Sequence, residues 1–195
     1  MDREKLIVAI GGASGVHLGL RLIEHIPDSM DLFVIISDGA KKVAHSECDR
    51  DIEKELNCLK TKKHFSIYNE DEIESGIASG SFGVNAMAIV PTSMNLLAKI
   101  ANGICDELIS RCASVMLKER RTLLLAPREM PLSPIALKQM SELSLLGVMI
   151  APPIVGYYAK IEDLESMERF FIGKWLDALK IPNTLYARWK YHTQE

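Results

Sequence analysis

The stretch Lys5-Leu-Ile-Val-Ala-Ile-Gly-Gly-Ala-Ser-Gly15 decides the fold. The continuous apolar run Leu6 to Ile10 stops at a glycine turn, after which Val16, Leu20 and Ile23 fall at i, i+4 and i+7. A short uninterrupted apolar run suits a strand buried on both faces of a parallel sheet, and the spacing after it predicts a helix. Leu32 to Ile36, Ala86 to Val90, Leu123 to Ala126 and Val148 to Ala151 repeat the apolar run, and Leu96, Ile100 and Ile104 repeat the helical rhythm. Strands alternating with helices imply right-handed crossovers and an α/β, three-layer αβα sandwich around a central parallel sheet.

The rest of the chain bounds what such a domain can do. Its 195 residues, 48% of them hydrophobic, can bury one ordinary core, so a single domain over 1–195 is expected. A net charge of -3 gives no global basic field, which argues against nucleic acid held through its phosphates. Cys48, Cys58, Cys105 and Cys112 lack CxxC spacing and read as free thiols of a reducing compartment. His17, His25, His45, His64 and His192 lack ligand spacing, and no metal site is expected. The first apolar run leads into a turn rather than a cleavage site, and no uncharged apolar stretch approaches the roughly 20 residues of a membrane span. Cytoplasm is the default expectation.

Between Lys41 and Glu72 the chain is more polar, with DRDIEKEL reading as a solvated helix and HFSIY as an edge strand. After Pro152-Pro153 come a loop, an amphipathic helix around Leu164 to Leu179, and a tail over 180–195. Leu185, Tyr186 and Trp189 predict that this tail packs on a neighbouring subunit or covers a pocket.

Candidate chemistry gathers where strands end. Small residues in Gly11 to Gly15 let backbone amides and a helix dipole approach a phosphate or flavin edge, though the same glycines serve a tight strand–helix turn. Ser37, ending the second strand, is either a ligand contact or a helix cap. Thr92 or Ser93 can cap the next helix and turn its positive end to the same sheet edge. Arg128 and Glu129 follow a strand between Pro127 and Pro131, where Arg can grip a phosphate and Glu can exchange protons; a local Arg–Glu pair is the alternative. Arg120 and Arg121 read as a solvated helix end. Tyr157, Tyr158 and Trp189 offer aromatic faces for an allylic cation, with a core or interface role equally open for Tyr157 and Trp189.

Taken in order, LIVAIGGASG, VPTSMNLLAKIANGICDELISRCASVMLKERR, LLLAPREMPLS and the APP loop followed by tyrosine resemble the flavin prenyltransferases, the UbiX-like family long labelled aromatic acid decarboxylases. The likeness runs from about Lys5 to Trp189 and is strongest from Ser93 to Pro131. It implies a Rossmann-like flavoprotein sheet with FMN held by Gly12, Ala13, Ser14, Ser37, Ser93, Met94, Asn95, Leu96 and Arg128. Tyr158 and Lys174, with Lys118, Arg128 and Arg111 of a neighbouring subunit, would bind dimethylallyl monophosphate. Glu129 would transfer protons, with Lys118 and Glu47 as further catalytic candidates. The resemblance also implies metal independence, a homo-oligomer of dodecamer type, and prenylated FMN handed to a partner UbiD-type decarboxylase. Lys174 stands where the family usually has Arg, Asn95 where Lys is common, Leu96 for Thr and Ile161 for Pro. Two rival readings are a phosphopantothenoylcysteine-decarboxylase-like flavoprotein, kept by His17 and His64 although PAMN is absent, and a non-catalytic FMN-storage module.

Overall fold

The computed structural model describes residues 3–48 and 51–189. The five apolar runs become β1 (Lys5–Ile10), β2 (Asp31–Ile36), β4 (Ala86–Thr92), β5 (Thr122–Pro127) and β6 (Met149–Ile150), and HFSIY supplies β3 (Ser66–Asn69). Among the described residues these form one six-stranded sheet, every pairing parallel, in the order β3-β2-β1-β4-β5-β6. Leu6 to Ile10 are wholly buried, as a central strand covered on both faces must be. The edge strands β3 and β6 are short and only partly covered. Chain order runs outward from β1 through β2 to β3, then restarts at β4 on the other side of β1. That reversal opens a crevice beyond the carboxyl ends of β1 and β4.

Alternate side chains of the strands face two helical layers. Ile7, Ala9, Met87, Ile89, Leu123 and Leu125 pack into one core with Leu97 and Ile100 of α4 (Met94–Ala101), Ile109 and Cys112 of α5 (Leu108–Lys118), and Met140 of α6 (Pro134–Leu145). On the other side α1 (Val16–His25) crosses β1 and β4, burying Val16, Leu20 and Ile23. It contacts α2 (Asp38–Cys48), which meets α3 (Ile52–Lys60), the helix that starts in DRDIEKEL and runs past it, where Ile52 and Leu56 are buried. Each fully buried Leu or Ile contributes about 1.5–3 kcal/mol before the entropy of ordering is counted.

The chain divides into two compact units, Met1–Pro152 and Pro153–Glu195. The second holds a helical turn at Tyr157–Ala159, α7 (Leu164–Ala178), capped by Asp163 and Ser166, and the segment leading to Trp189. Residues 190–195, including His192 and the end of the predicted tail, lie outside the described residues.

Two local readings differ from the fold. The rhythm Leu96–Ile100–Ile104 overruns its helix: α4 ends at Ala101, the Asn102 side chain donates to the Ala98 carbonyl at 2.8 Å, and Gly103 turns the chain with φ 68. Ile104 is therefore exposed. Arg121 is not a solvated helix end. It is half-buried, and one guanidinium nitrogen donates to the Gly80 carbonyl at 2.8 Å, while Arg120 stays exposed.

Candidate functional site

Backbone hydrogen bonds tie the carboxyl ends of four neighbouring strands together. The Gly11 amide donates to Pro91 O at 3.0 Å, joining the turns after β1 and β4, and the Ser37 amide donates to Ile10 O at 3.1 Å, joining β2 to β1. Arg128, just past β5, donates its amide to Thr92 O at 3.3 Å. The Thr92 hydroxyl donates to Ile89 O at 2.7 Å and accepts from the Ala126 amide at 3.1 Å. Thr92 thus pins β4 to β5, and Ser93 is the cap, accepting from the Leu96 amide at 3.2 Å.

On this base the predicted cofactor residues come together along one edge. Gly12, Ala13 and Ser14 form the turn after β1, where a Cβ on Gly12 would lie 2.7 Å from the Gly39 backbone. The glycine is required by that contact with the turn after β2. Ser37 is buried and its hydroxyl accepts from the Ala40 amide at 3.0 Å, so the capping reading holds for it. At α1 the N-cap is Gly15, which offers no side chain to the helix amides. At α4, Ser93 occupies one acceptor position and leaves the first-turn amides of Met94 and Asn95 without an intrahelical partner. Leu96 is buried behind them and Asn95 is exposed.

Two helix N-termini, a floor of small residues and an arginine suit an anionic group attached to a flat ring system. Arg128 and Glu129 are both exposed, and among the described residues no ion pair engages either, so the alternative of a local Arg–Glu pair does not hold. A Glu129 carboxylate oxygen instead accepts from the Met130 amide at 3.2 Å. Glu47, on α2, reaches the glycine turn, where its carboxylate accepts from the Gly15 amide at 3.2 Å. These residue types fit FMN, whose phosphate the free helix amides could hold, with Arg128 at the same edge.

Other predicted residues lie apart from this edge. Lys118 closes α5 four positions before β5 begins, whereas Arg128 follows the end of β5. Six strand residues at about 3.3 Å each put them at opposite ends of the sheet, roughly 20 Å apart. Lys118 is paired there with Glu119, whose carboxyl it holds below the usual range by hydrogen bond and charge, against a smaller effect of burial. Arg111 sits near the start of α5, half-buried. Its charge opposes burial at Cys112, but burial wins and pushes that thiol up to about 12. Cys58, Cys105 and Cys112 are all free thiols.

In the second unit, Tyr158 stands edge-on to Phe170 at 5.9 Å and to Trp189 at 5.7 Å between ring centroids. Lys174 is exposed, with its Nζ 6.0 Å from the Tyr186 ring centre. Sequence reasoning placed Thr92 at the first site only as an alternative cap, and it missed Gly39 there and Asp177 as the anchor of the second. The glycine of Ser37-Asp-Gly-Ala was a usable signal for Gly39. Asp177 gave none, because its partners are loop residues without periodicity.

Residues 1–174 match the family model described as Flavoprotein. A flavin prenyltransferase UbiX of Helicobacter pylori strain 26695 is 48% identical over 185 residues, covering 95% of this chain and 98% of the relative. The chain belongs to the flavin prenyltransferase UbiX family. Among solved structures of this family, AnUbiX (PadA1), in complex with FMN and dimethylallyl pyrophosphate, superposes with a TM-score of 0.89 at 34% identity, covering 97% of this chain and 99% of that one. A dodecameric FMN-dependent UbiX-like decarboxylase from Escherichia coli O157:H7 gives a TM-score of 0.87 at 33% identity, covering 96% and 100%. Membership confirms the parallel α/β sheet read from the apolar runs and the flavoprotein fold that the resemblance implied. Among the described residues no three His, Cys, Asp or Glu side chains are grouped to hold a metal, and no helix is long and apolar enough to cross a membrane.

Proposed function

We propose that the chain is a flavin prenyltransferase that joins a dimethylallyl group from dimethylallyl monophosphate to N5 and C6 of reduced FMN. The observation that carries this reading is 48% identity to a flavin prenyltransferase over 95% of the chain, on a chain that keeps the phosphate-suited turns and Arg128–Glu129 at one sheet edge. The reduced flavin supplies the nucleophile when bound. The chain's residues do the rest. Breaking the allylic C–O bond leaves an anionic phosphate and a delocalised cation, so Arg128, Lys174, Lys118, Arg111 and the Tyr158 hydroxyl hold the phosphate while aromatic faces shelter the cation from water. Glu129 moves protons between flavin and departing phosphate, seconded by Glu47.

Lys118 lies at the far end of its own sheet, which supports a site completed by a neighbouring copy in a homo-oligomer, a dodecamer as in the Escherichia coli relative. The product serves a UbiD-type decarboxylase in the cytoplasm. The test is anaerobic incubation of the protein with reduced FMN and either dimethylallyl monophosphate or diphosphate, followed by mass analysis of the flavin. One added prenyl unit from the monophosphate is the expected result; unmodified flavin with both donors overturns the proposal, and product from the diphosphate alone corrects the donor.

A further inference from the structure

The carboxylate of Asp177, on the last turn of α7, gathers four donors from the segment that follows the helix. Arg188 grips it with both ends of its fork, Nη2 to Oδ1 at 2.7 Å and Nη1 to Oδ2 at 3.0 Å. Asn183 donates to Oδ1 at 2.8 Å, and the Tyr186 hydroxyl donates to Oδ2. An isolated exposed ion pair contributes little, but a bidentate arginine on a carboxylate that is 25% exposed, with two further donors, fixes geometry.

What this carboxylate fixes leads to Tyr158. The Tyr186 ring lies edge-on to Phe170 at 5.2 Å and covers Gly173 so closely that a Cβ there would come within 2.4 Å of it. The Arg188 guanidinium sits 5.2 Å from the centre of the same ring. Trp189 follows directly. It is 78% exposed, so burial does not hold it, and among the described residues Tyr158 is the aromatic ring it meets. A cavity of about 640 Å³ opens between Tyr158, Lys160, Thr184, Tyr186, Arg188 and Trp189.

We infer that Asp177 is a positioning residue for the prenyl donor: by clamping the segment 183–189 to α7 it sets where Trp189 stands against Tyr158. The inference rests on the proposed prenyl transfer for its donor, and on the geometry of the second unit alone for the clamp.

The two tryptophans, Trp175 and Trp189, are labelled as 5-fluorotryptophan in the full chain, with Trp189→Phe assigning the signals. In Asp177→Asn the Trp189 resonance moves toward that of a free indole, and that of the buried Trp175 holds. In the same variant KM for dimethylallyl monophosphate rises about tenfold and FMN affinity stays within about twofold, the loss of the charged fork falling on the donor side alone. Asp177→Glu recovers part of both effects. An unmoved Trp189 resonance overturns the clamp whatever reaction the protein performs. A moved resonance with unchanged donor KM overturns the link to the donor and leaves prenyl transfer standing. Absence of prenylated flavin from the wild type sinks the functional reading instead, and titration of dimethylallyl monophosphate against the Trp189 resonance then decides whether the clamp serves that ligand. Tyr186→Phe and Arg188→Lys each remove one arm and give the same readouts should Asp177→Asn fail to fold.

Discussion

Thr92 is fully buried, and its hydroxyl both donates to Ile89 O and accepts from the Ala126 amide. Thr92→Val keeps the shape and leaves the Ala126 amide without its partner, a loss of about 1–3 kcal/mol in stability. Urea denaturation measures it, and the Arg128 amide keeps its partner in the variant, because the Thr92 backbone carbonyl holds it. At Gly12 the difficulty is space: a methyl group 2.7 Å from the Gly39 backbone forces the turns after β1 and β2 apart. Gly12→Ala is expected to cost about 1–3 kcal/mol by overpacking and to weaken FMN binding, both readable from one denaturation series with and without flavin. Glu129 carries no such structural duty beyond the Met130 amide, so Glu129→Gln folds and binds FMN while single-turnover prenyl transfer slows about a hundredfold or more. The glycine turn, Ser93 and Arg128–Glu129 were legible because they sit at strand ends, where a sequence pattern changes period. Thr92 was read only as a possible cap. Its true role depends on β5, which is distant in sequence.

At the scale of elements, the central strands were readable because a strand covered on both faces has no polar position. β3 and β6, at the edges, carried a weaker version of the same signal. The end of α4 was not readable from apolar rhythm, since Asn102 and Gly103 stop the helix while Ile104 continues the pattern. The joint between α7 and the following segment was invisible, being built from one carboxylate and side chains six to eleven residues further on. Its pH response has a definite sign. Burial works against ionisation of Asp177, but hydrogen bonds from Arg188, Tyr186 and Asn183, with the Arg188 charge, outweigh it and hold the carboxyl below its usual range. A depressed folded pKa gives stability that is complete above the unfolded value, about 3.9, and is lost as pH falls through the folded one. Burial, then the bond to Asp177, raises Tyr186 to about 12, so its hydroxyl remains a donor throughout. Acid titration of the wild type beside Asp177→Asn therefore shows an extra loss of stability below about pH 4 in the wild type alone.

For the whole molecule, the sheet order places the turns after β2, β1, β4 and β5 in one row, because parallel strands all end on the same side of the sheet. Five apolar runs could not reveal which strand stood beside which, yet once β4 pairs with β1 the two glycine- and serine-bearing turns must face the same crevice. The same topology separates Lys118 from Arg128 by the length of β5, and no side-chain rotation spans roughly 20 Å. A site that uses both residues must therefore draw them from two copies of the chain. As pure oligomers, Glu129→Gln and Lys118→Ala are each expected to keep about a hundredth of the activity or less. Mixed after dissociation and reassembly, or produced together in one cell, they regain activity, because some sites then pair a native Glu129 from one copy with a native Lys118 from another. Activity of the mixture no greater than the sum of its parts, in oligomers shown by native mass spectrometry to contain both variants, places Lys118 outside the reaction.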